Sequence, residues 1–228
     1  MKKTVVIHQP DFIPYIGFFH RLLDCDLFVI LDDVQFLRRG WHHRDKIKTP
    51  QGEKWLTLGL IKSPQETKIN EILLKDDGWK EKHLDFIKNN YKKSKFFHEV
   101  YPYIEKLYVN KIDKMIDFNM LSIKMLLELF EIEVEIVYSS KYEVTSKANN
   151  LLVDILEQVS ASHYLSGTGA KNYFEKEPFE DKKIEVIWQD FKHPVYPQLH
   201  GEFVPYLSSI DMLFNCGIEN SREILRNL

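Results

Sequence analysis

Thr4-Val5-Val6-Ile7, closed by His8-Gln9-Pro10-Asp11, is the stretch on which the fold of this chain turns. Four consecutive apolar or β-branched residues with no polar alternation read as a strand buried on both faces. The following HQPD ends it, and Pro14 suits the first turn of a helix, where its missing N–H costs nothing. Ile16, Phe19, Leu22 and Leu23 then recur at helical spacing. Leu27 to Leu31 (LFVIL) is a second buried strand, ending in Asp32-Asp33. Strand, helix and strand in this order imply a parallel pair with a crossover helix.

The same alternation returns late in the chain. Val134 to Tyr138 (VEIVY), His163 to Leu165 and Ile184 to Trp188 (IEVIW) read as strands, and Ala148 to Val159 as an amphipathic helix. A mostly helical tail covers about 207 to 226. Asp45 to Thr49 and Lys54 to Leu60, around Pro50-Gln51-Gly52-Glu53, read as a β-hairpin. Trp79 to Tyr91, Phe97 to Tyr108 and Ile112 to Phe130 read as helices. The expected fold is α/β: a mainly parallel open sheet (Rossmann-like) with a β-hairpin and a helical insert. Residues 1–74 with 132–228 form the α/β domain, and 75–131 the insert.

The composition narrows the function classes. Among 228 residues 44% are hydrophobic and 29% charged, which supports a sizeable core and argues against disorder. The net charge of -3 offers nothing global to nucleic acid or to an anionic membrane. Cys25 and Cys216 are the two cysteines, too few for a disulfide framework, and are expected to be reduced. The apolar run that stops at His8 is too short for a signal-peptide core or a membrane span, so the expected address is the cytoplasm. No HxH, HExxH or carboxylate cluster at ligand spacing is present, so no metal site is expected. GxSxG, GxGxxG and GxxxxGK[ST] are absent as well.

Ligands of open parallel sheets sit beyond the carboxyl ends of the strands. That rule selects His8-Gln9-Pro10, Asp32-Asp33, Ser139-Ser140 and Ser166-Gly167-Thr168-Gly169-Ala170-Lys171. His8 closes the first strand beside a helix N-terminus and is the candidate general base. His20 lies three residues after Gly17, and Gly17 permits close approach of backbone or ligand. Asp32 and Asp33 are candidates to orient His8 or a sugar hydroxyl. Arg38, Arg39 and Arg44, around Trp41, His42 and His43, form a basic aromatic stretch suited to an anionic small molecule. Gln9, Ser166, Gly167, Thr168 and Lys171 complete the expected substrate-binding set.

Ile7-His8-Gln9-Pro10-Asp11-Phe12-Ile13-Pro14-Tyr15-Ile16-Gly17-Phe18-Phe19-His20 resembles the opening motif of the WbqC-like protein family. So do Asp26 to Phe36 (DLFVILDDVQF), Gly40 to Lys46 (GWHHRDK), Trp55-Leu56-Thr57, Tyr164 to Gly169 (YLSGTG) and Tyr206 to Asp211 (YLSSID). The resemblance covers nearly the whole chain. It implies a place in bacterial surface-polysaccharide (O-antigen) biosynthesis and, for relatives labelled as glycine transferases, acylation of an amino sugar. The expected function is therefore transfer of an acyl or aminoacyl group to the amino group of a nucleotide-linked sugar. In that scheme Arg38, Arg39 and Arg44 hold the diphosphate, Trp41 stacks on base or sugar, and His8 takes the amine proton. An ATP-dependent carboxylate–amine ligase, with ATP and Mg²⁺ on the Ser166–Lys171 loop, and a non-catalytic assembly protein are the alternatives. The expected partner is an anionic metabolite such as a nucleotide-sugar, without nucleic acid or membrane; the oligomeric state is open, with a homodimer among the options.

Overall fold

A computed structural model describes residues 2–228. Its centre is a five-stranded parallel sheet in the order β5-β2-β1-β6-β7. The strands are β1 (Thr4–His8), β2 (Leu27–Ile30), β5 (Glu135–Tyr138), β6 (His163–Ser166) and β7 (Glu185–Trp188). Val5, Val6 and Ile7 of β1 are all buried, because β1 has a strand on either side and helices on both faces. Successive side chains of a strand point to opposite faces. Val6, Phe28 and Ile30 accordingly join one apolar cluster, and Val5, Ile7, Leu27 and Val29 the other.

The smaller cluster is covered by α5 (Ala148–Gln158) and α6 (Glu177–Asp181). The larger lies under α1 (Ile16–Leu22) and takes in α2 (Trp79–Tyr91), α3 (Phe97–Tyr108), α4 (Met115–Phe130), α7 (Ser209–Cys216) and α8 (Ile218–Arg226). Helices α2 to α4 are thus an insert in sequence that shares its core with the sheet. The spacing extended α4 back to Ile112; the helix instead starts at Met115. Leu74 N–H donates to Asp113 O and Met115 N–H to Ile72 O, which holds that segment in an extended conformation.

The hairpin, β3 (Arg44–Thr49) and β4 (Gly52–Thr57), forms a separate antiparallel sheet. No helix is long and apolar enough to cross a membrane among the described residues. Cys25 and Cys216 are unpaired thiols.

The topology fixes one particular place. After β1 the chain builds outward through β2 and β5, then returns to the other side of β1 for β6 and β7. Between β1 and β6 the crossovers leave in opposite directions, which makes the carboxyl ends of these two strands the expected ligand crevice of an open parallel sheet. His8 ends β1 and Ser166 ends β6, so both lie at its mouth.

Candidate functional site

The loop from Gln9 to Tyr15 leaves the carboxyl end of β1, and three other parts of the chain tie it down. Asn119 of α4, fully buried, donates to Pro10 O at 2.8 Å and to His42 O at 2.6 Å. Phe12 N–H donates to Trp41 O at 3.0 Å. Ser208 Oγ donates to Ile13 O at 2.7 Å, and Ser209 Oγ donates to Pro14 O. This clamping sustains a strained residue: buried Ile13 is β-branched yet has φ of 42°. Such a conformation persists only where surroundings over-determine it, and it clusters at functional loops.

Two titratable groups with opposite shifts sit on this loop. His8 Nδ1–H donates to Gln9 O at 2.8 Å, leaving Nε2 as the lone-pair nitrogen. Burial, then the nearby Arg21 guanidinium, lowers its pKa to about 3, so the ring is neutral. The Asp11 carboxylate lies 3.7 Å from His8 Nδ1, and its side chain is 14% exposed. Burial raises its pKa to about 7, with Arg21 only partly offsetting that. A carboxyl poised near neutrality can take or give a proton under ordinary conditions. Asp45, on β3, is also buried, and desolvation lifts its pKa well above the usual carboxylate range.

Arg21 comes from the last turn of α1 and is 6% exposed. Among the described residues no carboxylate oxygen comes within 4 Å of it, and its Nε has no hydrogen-bond partner. Tyr15 covers Gly17: a Cβ there would stand 2.3 Å from the Tyr15 ring. Gly17→Ala is expected to destabilise the fold by about 1–3 kcal/mol through overpacking. Thermal melting reads this; an unchanged Tm would show that the Tyr15 ring swings away freely.

The sequence-chosen residues fall into three groups. His8 and Gln9 end or follow β1, Ser166 and Gly167 end or follow β6, His42 joins Gln9, and Gly17 and His20 lie on α1. His42 Nε2–H donates to Gln9 Oε1, and burial lowers the His42 pKa to about 4. His43 is buried against Phe36. His20 Nδ1 pairs with Gln189 Nε2 at 3.1 Å, and that amide also donates to Gly17 O at 2.8 Å. Thr168 and Lys171 are exposed beyond the Gly167 turn, with Lys171 Nζ 5.4 Å from the Trp188 ring centroid.

Asp32 and Asp33 face another strand. Buried Asp32 accepts from Ser140 N–H at 2.9 Å, Ser140 Oγ at 2.7 Å, Ser139 Oγ at 3.1 Å and Asn70 Nδ2 at 3.2 Å. Asp33 accepts from Ser139 Oγ at 2.5 Å. They line or flank a separate depression of about 480 Å³ with Lys114, Asp117 and Tyr138. The acid beside His8 is Asp11, which sequence reasoning passed over.

The arginines of the basic stretch do not share a partner. Arg38 donates to Ser63 O at 2.7 Å, and Arg44 to Arg39 O at 2.9 Å. The Arg44 guanidinium lies 4.3 Å and the Lys46 ammonium 4.9 Å from the Trp55 ring centroid, and the Trp41 ring is 5.4 Å from it. Trp41 stays 47% exposed. Among the described residues no three His, Cys, Asp or Glu side chains come together as a metal-holding group.

Half-buried His8, with buried His42 and His83, makes the fold sensitive to acid. His8 is lowered to about 3, and His42 and His83 to about 4, each chiefly by desolvation. The unfolded chain binds protons at these positions below about pH 6.5, while the folded chain does not. Their stabilising contribution is therefore complete above pH 6.5 and is lost as pH falls toward 4. Asp11 works in the opposite direction between about pH 4 and 7, because its folded form binds the extra proton, and the buried Asp45 and Asp211, both raised by desolvation, act in the same sense as Asp11. Between pH 6.5 and 4, Asp11→Asn is therefore expected to lose Tm faster, or to gain it more slowly, than wild type as pH falls. Parallel Tm profiles of the two proteins across that window would contradict it.

Comparison with known proteins agrees with the motifs. The uncharacterized protein Rv1507c of Mycobacterium tuberculosis is 30% identical over 222 residues, covering 96% of each chain. No solved structure matches. The model of the WbqC-like protein family matches residues 9–223, spanning the β1–α1 loop, the hairpin, the insert and the β6 loop. This chain belongs to the WbqC-like protein family.

Proposed function

We propose that this protein is a transferase of bacterial surface-polysaccharide biosynthesis that moves an acyl or aminoacyl group onto the amino group of a nucleotide-linked sugar. The observation that carries the reading is the His8–Asp11 pair at the carboxyl end of β1: a neutral imidazole 3.7 Å from a carboxyl held near neutrality. The proton acceptor in this scheme is Asp11. Its pKa of about 7 suits a base at neutral pH, whereas His8 at about 3 is too weak a base to compete. The amine nitrogen attacks the acyl carbonyl, and its surplus proton passes to Asp11. The donor's leaving group departs as the amide forms. His8, donating from Nδ1 to the Gln9 carbonyl, keeps the loop shape and offers Nε2 to the substrate. The exposed Trp41 and Trp55 rings, with Arg44 stacked on Trp55, offer an apolar and cationic border for the sugar or base.

The experiment is a panel of nucleotide-linked amino sugars with two donor arms, an acyl thioester or ATP with an amino acid. Mass spectrometry follows the acylated sugar and a coupled assay follows pyrophosphate. N-acylated product without pyrophosphate supports the transferase. Pyrophosphate released only when amino acid is present moves the assignment to an acyl-adenylate ligase. Wild-type cellular function retained by a folded Asp11→Asn protein would remove catalysis from the account.

A further inference from the structure

We infer that Arg21 is the core of an oxyanion site in the β1–β6 crevice, built to take the phosphate or carboxylate group of a small metabolite. Side chains on a helix lean toward its N-terminus. That direction carries the guanidinium from the last turn of α1 up to the carboxyl ends of the strands. There it meets Gly167: a Cβ at this position would stand 2.8 Å from one terminal guanidinium nitrogen and 3.5 Å from the central carbon. The missing side chain of Gly167 is what lets the cation lie against the loop that ends β6.

A guanidinium keeps its charge at any ordinary pH and carries five N–H donors. Burying one without a carboxylate is costly, and folds normally supply the partner. Here Arg21 is 6% exposed, Nε is unpartnered, and no acidic oxygen lies within 4 Å among the described residues. Asp11, an acid near enough to feel its charge, retains its proton up to about pH 7 and so neutralises it poorly. An oxyanion held by the guanidinium fork would supply the missing charge and acceptors. The cation also borders an open depression of about 560 Å³ beside α1, β6 and β7, lined by Lys2, His20, Asp24, Trp188, Gln189 and Asp190. This gives a metabolite room beside the guanidinium.

The inference rests on the proposed function only for which metabolite carries the oxyanion. Its test is thermal melting of the full chain with inorganic phosphate, with acetate, and with sodium chloride at matched ionic strength. Wild type is expected to gain Tm from phosphate or acetate beyond the chloride control; whichever acts identifies a phosphate or a carboxylate ligand. Arg21→Lys keeps the charge without the fork and should retain only a small part of the gain. Arg21→Met should lose it. Without added anion Arg21→Met should melt higher than wild type, by about 2–4 °C, because an uncompensated buried cation is gone. Gly167→Ala, which leaves the charge but pushes the guanidinium off the loop, should shrink the gain. The inference is overturned by a wild type indifferent to both anions, by an undiminished gain in Arg21→Met or Gly167→Ala, or by an Arg21→Met protein that melts lower than wild type. Asp11→Asn should keep the anion gain. A protein that binds phosphate through Arg21 yet acylates no amine therefore leaves this site standing and removes the transferase; acyl transfer unaffected by Arg21→Met does the reverse.

Discussion

Asp11→Asn is expected to lower the rate of amine acylation by about 10²–10⁴-fold while the protein stays folded. The amide is nearly the same size as the carboxyl, so packing of the β1–α1 loop survives. What is lost is the one group on this loop that exchanges a proton near pH 7. The pH profile of the wild type carries the more specific signature. A base must be ionised to act, so log kcat/KM should rise with slope one up to about pH 7 and then level. In Asp11→Asn the residual activity should lack that limb. His8→Gln gives the contrast: with its imidazole already neutral across this range, the limb should remain near pH 7 even if the rate falls. A wild-type limb near pH 4, or a limb surviving in Asp11→Asn, would remove Asp11 from the reaction.

Asp211→Ala is expected to have the largest effect on stability. Asp211, on α7, is fully buried and accepts from Tyr91 Oη at 2.7 Å, Tyr196 Oη at 3.0 Å and Gln198 Nε2 at 2.7 Å. These partners come from α2 and from the irregular segment before α7, so one carboxyl joins the insert to the C-terminal part of the chain. The buried Lys48 belongs to the same knot: its ammonium donates to Gly201 O at 3.3 Å and to Glu202 O, and its backbone N–H donates to Tyr91 Oη at 3.2 Å. Removing the acceptor strands two phenols and an amide away from water, each with its own desolvation cost. With a buried cation nearby, the loss should be about 3–5 kcal/mol. A chain of this size shifts Tm by roughly 2–4 °C per kcal/mol, so a fall on the order of 10 °C is expected in a thermal melt. Asp211→Asn, which keeps one acceptor, should fall about half as far. A loss within a degree or two for Asp211→Ala would show that water replaces the carboxyl at little cost.

The sheet was legible because its signals are local. TVVI, LFVIL and IEVIW are short buried runs, and the helices between them repeat at helical spacing, so strand and helix order follow directly. The rim was legible for the same reason, since strand order and strand direction place His8 and Ser166 together. Side-chain direction was not. Asp32-Asp33 ends β2 as expected, but its carboxylates turn to the Ser139-Ser140 hydroxyls of the β5 loop, which neither spacing nor composition reveals. Arg38, Arg39 and Arg44 form a basic cluster in sequence, while in space backbone carbonyls and the Trp55 ring engage two of them. Asp11 follows a proline, where a turn former alone would account for it. Arg21 lies at the C-terminal end of a helix, where the dipole alone would account for a cation. Desolvation marks both, and the lack of a partner marks Arg21; these are tertiary facts. The one available signal was position: each lies on the segment that leaves β1, the strand beside the switch in crossover direction.

The location of the site is the claim on which the chemistry depends, and a crystal structure with a nucleotide-linked amino sugar tests it most directly. The account expects an anionic group of that ligand within hydrogen-bond distance of the Arg21 guanidinium beside Gly167, with the sugar amine within reach of the Asp11 carboxyl. Ligand seated instead in the Asp32–Ser140–Lys114 depression, or held by the Arg38 and Arg44 hairpin with the β1–β6 crevice bare, would contradict it.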